Sequence, residues 1–158
     1  MLSTPREIYV FTDGGCHGNP GPGGWAYIIE GVDGRQSASG AEAETTNNRM
    51  ELEAVIRALE YLLGQGYCRD GVIHVFTDSQ YVRNGITGWI SRWESNGWRT
   101  SAKKPVKNRE LWMRLRNAEQ RCRVEWHWVR GHSGHPENEE VDGMVQEAIR
   151  AAAVSPSS

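Results

Sequence analysis

Apolar and polar positions follow two periods along this chain. Glu7-Ile8-Tyr9-Val10-Phe11-Thr12 is rich in β-branched and aromatic residues and predicts a first strand. Gly14, Gly15, Gly18 and the run from Asn19 to Gly24 predict a turn-rich loop. Trp25 to Glu30 predicts a second strand, Gly31 to Gly34 a turn, and Gln36 to Ala43 a third strand. These three are expected to form an antiparallel meander. From Asn48 to Gln65 the period becomes helical. Ala54, Val55, Ala58, Leu59 and Leu62 line one face, with Glu53, Arg57 and Glu60 toward solvent. Val72 to Thr77 predicts a fourth strand, and a short helix follows from Ser79 with Gly85 as its stop. Trp89 and Trp93 lie four apart on another short helix, and Lys107 to Gln120 predicts a longer one. Arg123 to Val129 predicts a fifth strand. Pro136 opens the last helix at a place that suits proline, and Ala151 to Ser158 reads as a helix end and loose tail. This order of elements predicts an α/β fold, a mixed five-stranded sheet with helices on both faces.

The chain has 158 residues, which predicts a single domain spanning 1–158 with its core at about 7–151. No apolar run approaches the ~18 residues needed to span a membrane. Met1-Leu2-Ser3-Thr4-Pro5 lacks a secretory signal pattern. Cys16, Cys68 and Cys122 are odd in number and widely spaced, which suits neither a disulfide framework nor a zinc site. A reducing, cytoplasmic location is the expectation.

Net charge is −2, which by itself argues against a polyanionic partner. Its distribution changes that picture. Residues 83–116 hold nine of the 18 Lys+Arg but only two of the 20 Asp+Glu. The flanking segments are acidic. Nucleic acid can dock on the basic segment if metal ions neutralise the acidic ones. A solvated basic surface is the plainer reading.

One tetrapeptide recurs unchanged: Val10-Phe11-Thr12-Asp13 and Val75-Phe76-Thr77-Asp78 each end a strand on an aspartate. Ligands of open α/β sheets bind outside such strand ends. Adjacent parallel strands would bring Asp13 and Asp78 together. Alone, each is a turn or cap residue, and Asp78 suits a cap for the helix after it. Glu51 shares the inward face of its helix, where no Lys or Arg lies. A buried carboxylate needs a cation, which a metal would supply. A capping box with Asn47 or Asn48 is the alternative. Asp142 lies in an acidic run with Glu137, Glu139 and Glu140, and reads as a solvated helix face. His132 and His135 sit in a glycine-bearing loop, Arg130 to His135. His132 suits a mobile proton carrier, and His135 a surface histidine. Carboxylates without Cys or His partners favour hard ions such as Mg²⁺ or Mn²⁺.

The ordered motifs are Phe11-Thr12-Asp13-Gly14 with Gly18 to Gly24, Thr45-Thr46-Asn47-Asn48-Arg49-Met50-Glu51-Leu52, Thr77-Asp78-Ser79-Gln80-Tyr81-Val82, Lys104-Pro105-Val106-Lys107-Asn108, and Gly131 to Asn138. By these the chain, from about Glu7 to Ala151, resembles bacterial type 1 ribonuclease H. The resemblance implies a ribonuclease H-like fold with strand order 3-2-1-4-5. It implies an endonuclease that cuts the RNA strand of RNA–DNA hybrids and leaves 5′-phosphate and 3′-hydroxyl ends. Asp13, Glu51, Asp78 and Asp142 would hold two Mg²⁺ ions, with Mn²⁺ a possible substitute. Asp13 would bridge the ions, and His132 would aid proton transfer and product release. Cys16, Asn19, Asn48 and Gln80 would line the minor groove. Trp89 and Trp93 would floor the DNA-strand channel, although core packing explains their spacing equally. Thr46 and Asn108 would hold a DNA phosphate. The expected protein is a monomer with no membrane partner and no separate hybrid-binding domain before Glu7.

Three positions depart from the family's pattern. The basic protrusion before Gly97-Trp98 reads Glu94-Ser95-Asn96, although Arg92, Arg99, Lys103, Lys104 and Lys107 remain. Weaker, still salt-sensitive substrate binding is expected. Glu44 stands where a basic residue is usual. Gly143 follows Asp142 inside a helix, where glycine costs ~1 kcal/mol relative to alanine.

Overall fold

The computed structural model describes residues 6–100, 102–130 and 136–154. Five strands, β1 (Arg6–Cys16), β2 (Gly21–Val32), β3 (Gly34–Thr45), β4 (Gly71–Thr77) and β5 (Arg123–Trp128), form one sheet. Its order is β3-β2-β1-β4-β5, as the resemblance implied. β1, β2 and β3 are antiparallel neighbours, whereas β4 runs parallel to both β1 and β5. The β1–β4 register pairs Val10 with Val75 and Phe11 with Phe76. The two matching tetrapeptides therefore lie side by side, and Asp13 and Asp78 leave the same edge.

Helices cover both faces. α1 (Asn47–Gly64) and α4 (Arg109–Gln120) are on one side, over Ile8, Val10, Ile73 and Val75. α5 (Pro136–Val154) is on the other, with Val141, Val145 and Ile149 against Phe11, Ala26 and Ile28. Ala54, Val55, Ala58, Leu59 and Leu62 of α1 are buried as their spacing predicts. Among the described residues no helix is long and apolar enough to cross a membrane.

The expected elements need four corrections. Gly14, Gly15 and Gly21 to Gly24 belong to strands, not to a loop. At Gly14 the reason is packing: a Cβ there would overlap the backbone of Met50, so glycine lets α1 approach β1. Gly85 does not stop a helix. α2 (Gln80–Asn84) runs through a π-helical turn, Gly85–Trp89, into α3 (Ile90–Ser95), with Gly85 right-handed at φ −64°. Any Cβ on Gly85 would strike the Trp112 ring, so close approach and not chain reversal explains this glycine. Glu53 is not on the solvent side. It is 6% exposed because α4 lies over it, and it accepts from Arg57 (2.9 Å) and Arg114 (3.5 Å). Finally, Cys68 and Cys122 are joined in a disulfide, with Cα atoms 4.9 Å apart. The residues are 54 apart in sequence, and only the parallel β4–β5 pairing brings the turns before these strands together. The cysteine count therefore gives no support for a reducing compartment.

Candidate active site

Asp13 near the end of β1, Asp78 just beyond β4 and Asp142 on α5 surround one small cleft of about 60 Å³. Thr12, Arg130 and Asn138 share its walls. That volume suits ions and a few waters, so a polymeric substrate must lie across the mouth. Asp142, which the sequence read as a solvated helix face, is placed there because α5 packs over β1.

The three acids crowd one another. Burial, the Asp78 charge, and a hydrogen bond and charge from Asp142 push the Asp13 carboxyl up to about 8. The protein thus holds together negative groups whose natural complement is a cation. Thr12 Oγ1 and Asn138 Oδ1 are buried on the same walls, with no hydrogen-bond partner among the described residues. Orphaned oxygens beside crowded carboxylates are a donor set for hard divalent ions. The residues present fit such ions.

Glu51 stands beside this group on α1. It is not part of a capping box: Thr46 caps α1, its Oγ1 accepting from Arg49 N at 3.2 Å. Glu51 instead accepts from Asn47 Nδ2 (2.9 Å) and from Ser79 Oγ. Burial raises its pKa most, and the Asp78 charge adds to this. Asp78 is not the cap of α2 either. Ser79 takes that role, accepting from Val82 N at 3.1 Å. Thr77 Oγ1 accepts from Ser79 N at 3.1 Å and shapes the turn that carries Asp78. His132 and His135 lie outside the described residues.

Several of the expected groove residues are linked by hydrogen bonds. Cys16 Sγ lies 3.8 Å from Asn19 Oδ1, which accepts from Asn47 N at 3.2 Å. Asn47 then reaches Glu51, so the β1–β2 turn is tied to the acids. Asn48 at the start of α1 is half-buried, and Gln80 at the start of α2 is exposed. Trp89 and Trp93 have ring centroids 5.7 Å apart and are half-buried. Trp89 also meets Tyr81, and Trp93 meets Trp98 and Trp112. Thr46 and Asn108 are joined through Arg49: its backbone meets Thr46, and its Nη1 donates to Asn108 Oδ1 at 3.0 Å. Asn108 is left-handed at φ 60°. Its Nδ2 donates to Tyr81 OH at 3.2 Å.

The sequence did not single out Arg49, Ser79 or Asn138 individually, and it offered Asn47 only as a capping partner. All four lie within the quoted motifs, but only the tertiary contacts separate them from their neighbours. The lost charge at Glu94 is partly explained: Glu94 ion-pairs with Arg116 of α4 at 3.0 Å. Glu44 is exposed, and a Cβ on Gly143 would meet nothing within 4 Å.

The RNase H family model matches residues 5–150. A ribonuclease H of Ruegeria sp. (strain TM1040) is 54% identical over 145 residues, covering 89% of each chain. A ribonuclease H of Bradyrhizobium sp. (strain ORS 278) is 52% identical over 151 residues, covering 96% of this chain and 95% of its own. The structure of LC9-RNase H1, a type 1 RNase H with the type 2 active-site motif, matches with a TM-score of 0.82 at 32% identity. That match covers 96% of this chain and 75% of the other. LC11-RNase H1 in complex with RNA/DNA hybrid matches with a TM-score of 0.70 at 28% identity, covering 92% and 99%. Fold, acid cleft and relatives agree: the chain belongs to the ribonuclease H family, among its bacterial type 1 members, and is a ribonuclease H hydrolase.

Proposed function

We propose that this enzyme cuts the RNA strand of RNA–DNA hybrids endonucleolytically, as one catalytic domain and a monomer, leaving 5′-phosphate and 3′-hydroxyl ends. The observation that carries the reading is the crowding of Asp13, Asp78 and Asp142 around one cleft, with Glu51 alongside. These four acids would hold two Mg²⁺ ions, or Mn²⁺ in their place, and such a pair supplies an activated water and stabilises the leaving 3′ oxygen. Asp13 interacts with both Asp78 and Asp142, which suits a bridging position. Asn47 and Ser79 hold the Glu51 carboxylate in place. His132 is the proposed proton carrier.

Hybrid selectivity needs contacts that distinguish the strands, and the 2′-OH marks the RNA. Cys16, Asn19, Asn48 and Gln80 would follow the minor groove. Trp89 and Trp93 present rings on which a deoxyribose can pack. Thr46, Asn108 and the Arg49 guanidinium would receive a DNA phosphate, as a planar donor fork suits that anion. The hybrid complex of LC11-RNase H1 supports this substrate class.

The test labels each strand of a hybrid, a double-stranded RNA and a double-stranded DNA, with Mg²⁺ or chelator. RNA should be cut only in the hybrid and only with metal. Retention without cleavage would reduce the chain to a hybrid-binding module. Asp13→Asn should abolish cleavage; near-normal activity would remove Asp13 from the site.

A further inference from the structure

A second group of side chains able to ligate a metal lies on the sheet face that carries Asp13 and Asp78, farther back along the strands. His74 of β4 faces Glu125 of β5 directly, with His127 and Glu7 on the diagonals. His74 Nδ1 is 2.9 Å from His127 Nε2 and 3.3 Å from Glu125 Oε2. One ligand atom from each of His74, Glu125 and His127 lies within 4.8 Å of the others. His74 is four residues before Asp78, about 13 Å along an extended strand, so this group is separate from the acid cleft.

Three features point to an ion here. Bonds of about 2.0–2.1 Å to a tetrahedral ion place neighbouring ligand atoms about 3.3–3.4 Å apart, close to the two distances at His74 Nδ1. Each imidazole is already oriented: His74 stacks on Tyr9 with centroids 5.1 Å apart, and His127 on Phe76 at 4.6 Å. The far nitrogen of His74, Nε2, meets the Glu7 carboxylate. A carboxylate behind a histidine, fixing its tautomer so that the other nitrogen faces the ion, is the usual outer support of a metal site.

We propose that His74 Nδ1, His127 Nε2 and the Glu125 carboxylate form a site for a borderline transition-metal ion such as Zn²⁺, with Glu7 holding His74. Two imidazoles and one carboxylate prefer Zn²⁺ to Mg²⁺, so this site does not compete for the hard ions of the acid cleft. Glu125 is half-exposed, leaving the outer side open to a water as fourth ligand. The ion joins β4 to β5, and β5 is an edge strand of the sheet. Occupancy therefore ties down the strand that leads to Val129 and Arg130 in the cleft wall.

The test titrates Zn²⁺ into the full chain carrying Asp13→Asn and Asp78→Asn, in excess Mg²⁺, so that the acid cleft contributes no competing ions. One Zn²⁺ should bind per chain and raise the unfolding temperature. His74→Gln and His127→Gln should each weaken binding by at least about tenfold, and Glu7→Gln by about tenfold. Glu125→Gln, at a half-exposed position, repeats the test where folding is least at risk, and circular dichroism checks each variant. No saturable binding, or an affinity unchanged by these substitutions, would overturn the site and leave only a hydrogen-bonded network. Binding that survives them but disappears in His132→Ala/His135→Ala would overturn it equally, by placing the ion elsewhere.

Discussion

At Asp13 the fold works against its own stability for the sake of a charge that metal would need. Its carboxyl titrates near 8 in the native state, against 3.8 in the ordinary aspartate. Between these values the native state binds more protons than the unfolded chain. Stability of the metal-free protein therefore falls as pH rises through that window. In chelator, the unfolding temperature should be lower near pH 8 than at about pH 5. Asp13→Asn should shrink that difference, and an equal drop in both proteins would place the titration elsewhere. Metal binding must displace the same proton, so Mg²⁺ affinity should rise with pH until about 8.

Among the elements, two glycines separate propensity from packing. Gly143 is exposed on α5 with open space where a Cβ would go. Gly143→Ala should raise stability by ~1 kcal/mol and leave hybrid cleavage unchanged. Gly85 looks like a similar helix position, yet it abuts the Trp112 ring. Gly85→Ala should cost roughly 1–3 kcal/mol by overpacking. Denaturant unfolding of both variants checks the contrast, and similar effects of the same sign would contradict it. The bounds of α1 were legible because its apolar period is long and regular, and the start of α5 because Pro136 suits a first helical turn. The β1–β2 turn was misjudged because its glycines serve close approach between layers, which leaves no local signature distinct from a turn.

On the scale of the whole molecule, charge and covalent linkage set the expectations. Arg92, Arg99, Lys103, Lys104 and Lys107 are exposed, whereas Arg116 is engaged by Glu94 and Glu119. Glu94→Lys frees Arg116 and adds a positive charge. Hybrid affinity at low salt should rise, and the slope of log affinity against log salt should steepen by about 1–2. Unchanged slopes would place Glu94 outside the bound duplex. The Cys68–Cys122 link closes a 54-residue separation. Replacing both by serine should lower stability by up to about 4 kcal/mol, read by thermal unfolding with and without reductant.

Sequence by itself determined the strands and the main helices, because burying one face imposes periods of two or 3.6 on any chain that folds. It also marked Asp13 and Asp78 as a pair, since a repeated strand ending carries its own register. Glu51 stood out more weakly, as a charge on an apolar face. Asp142 was named only through the family resemblance; on local pattern it is one acid among several on a helix. Tertiary structure alone decided that α5 swings Asp142 over Asp13, that Arg49 links Thr46 to Asn108, and that Cys68 meets Cys122. It alone gathered Glu7, His74, Glu125 and His127 on one face. Each of these depends on strand order and layer packing, which are long-range contacts that no local window of sequence contains.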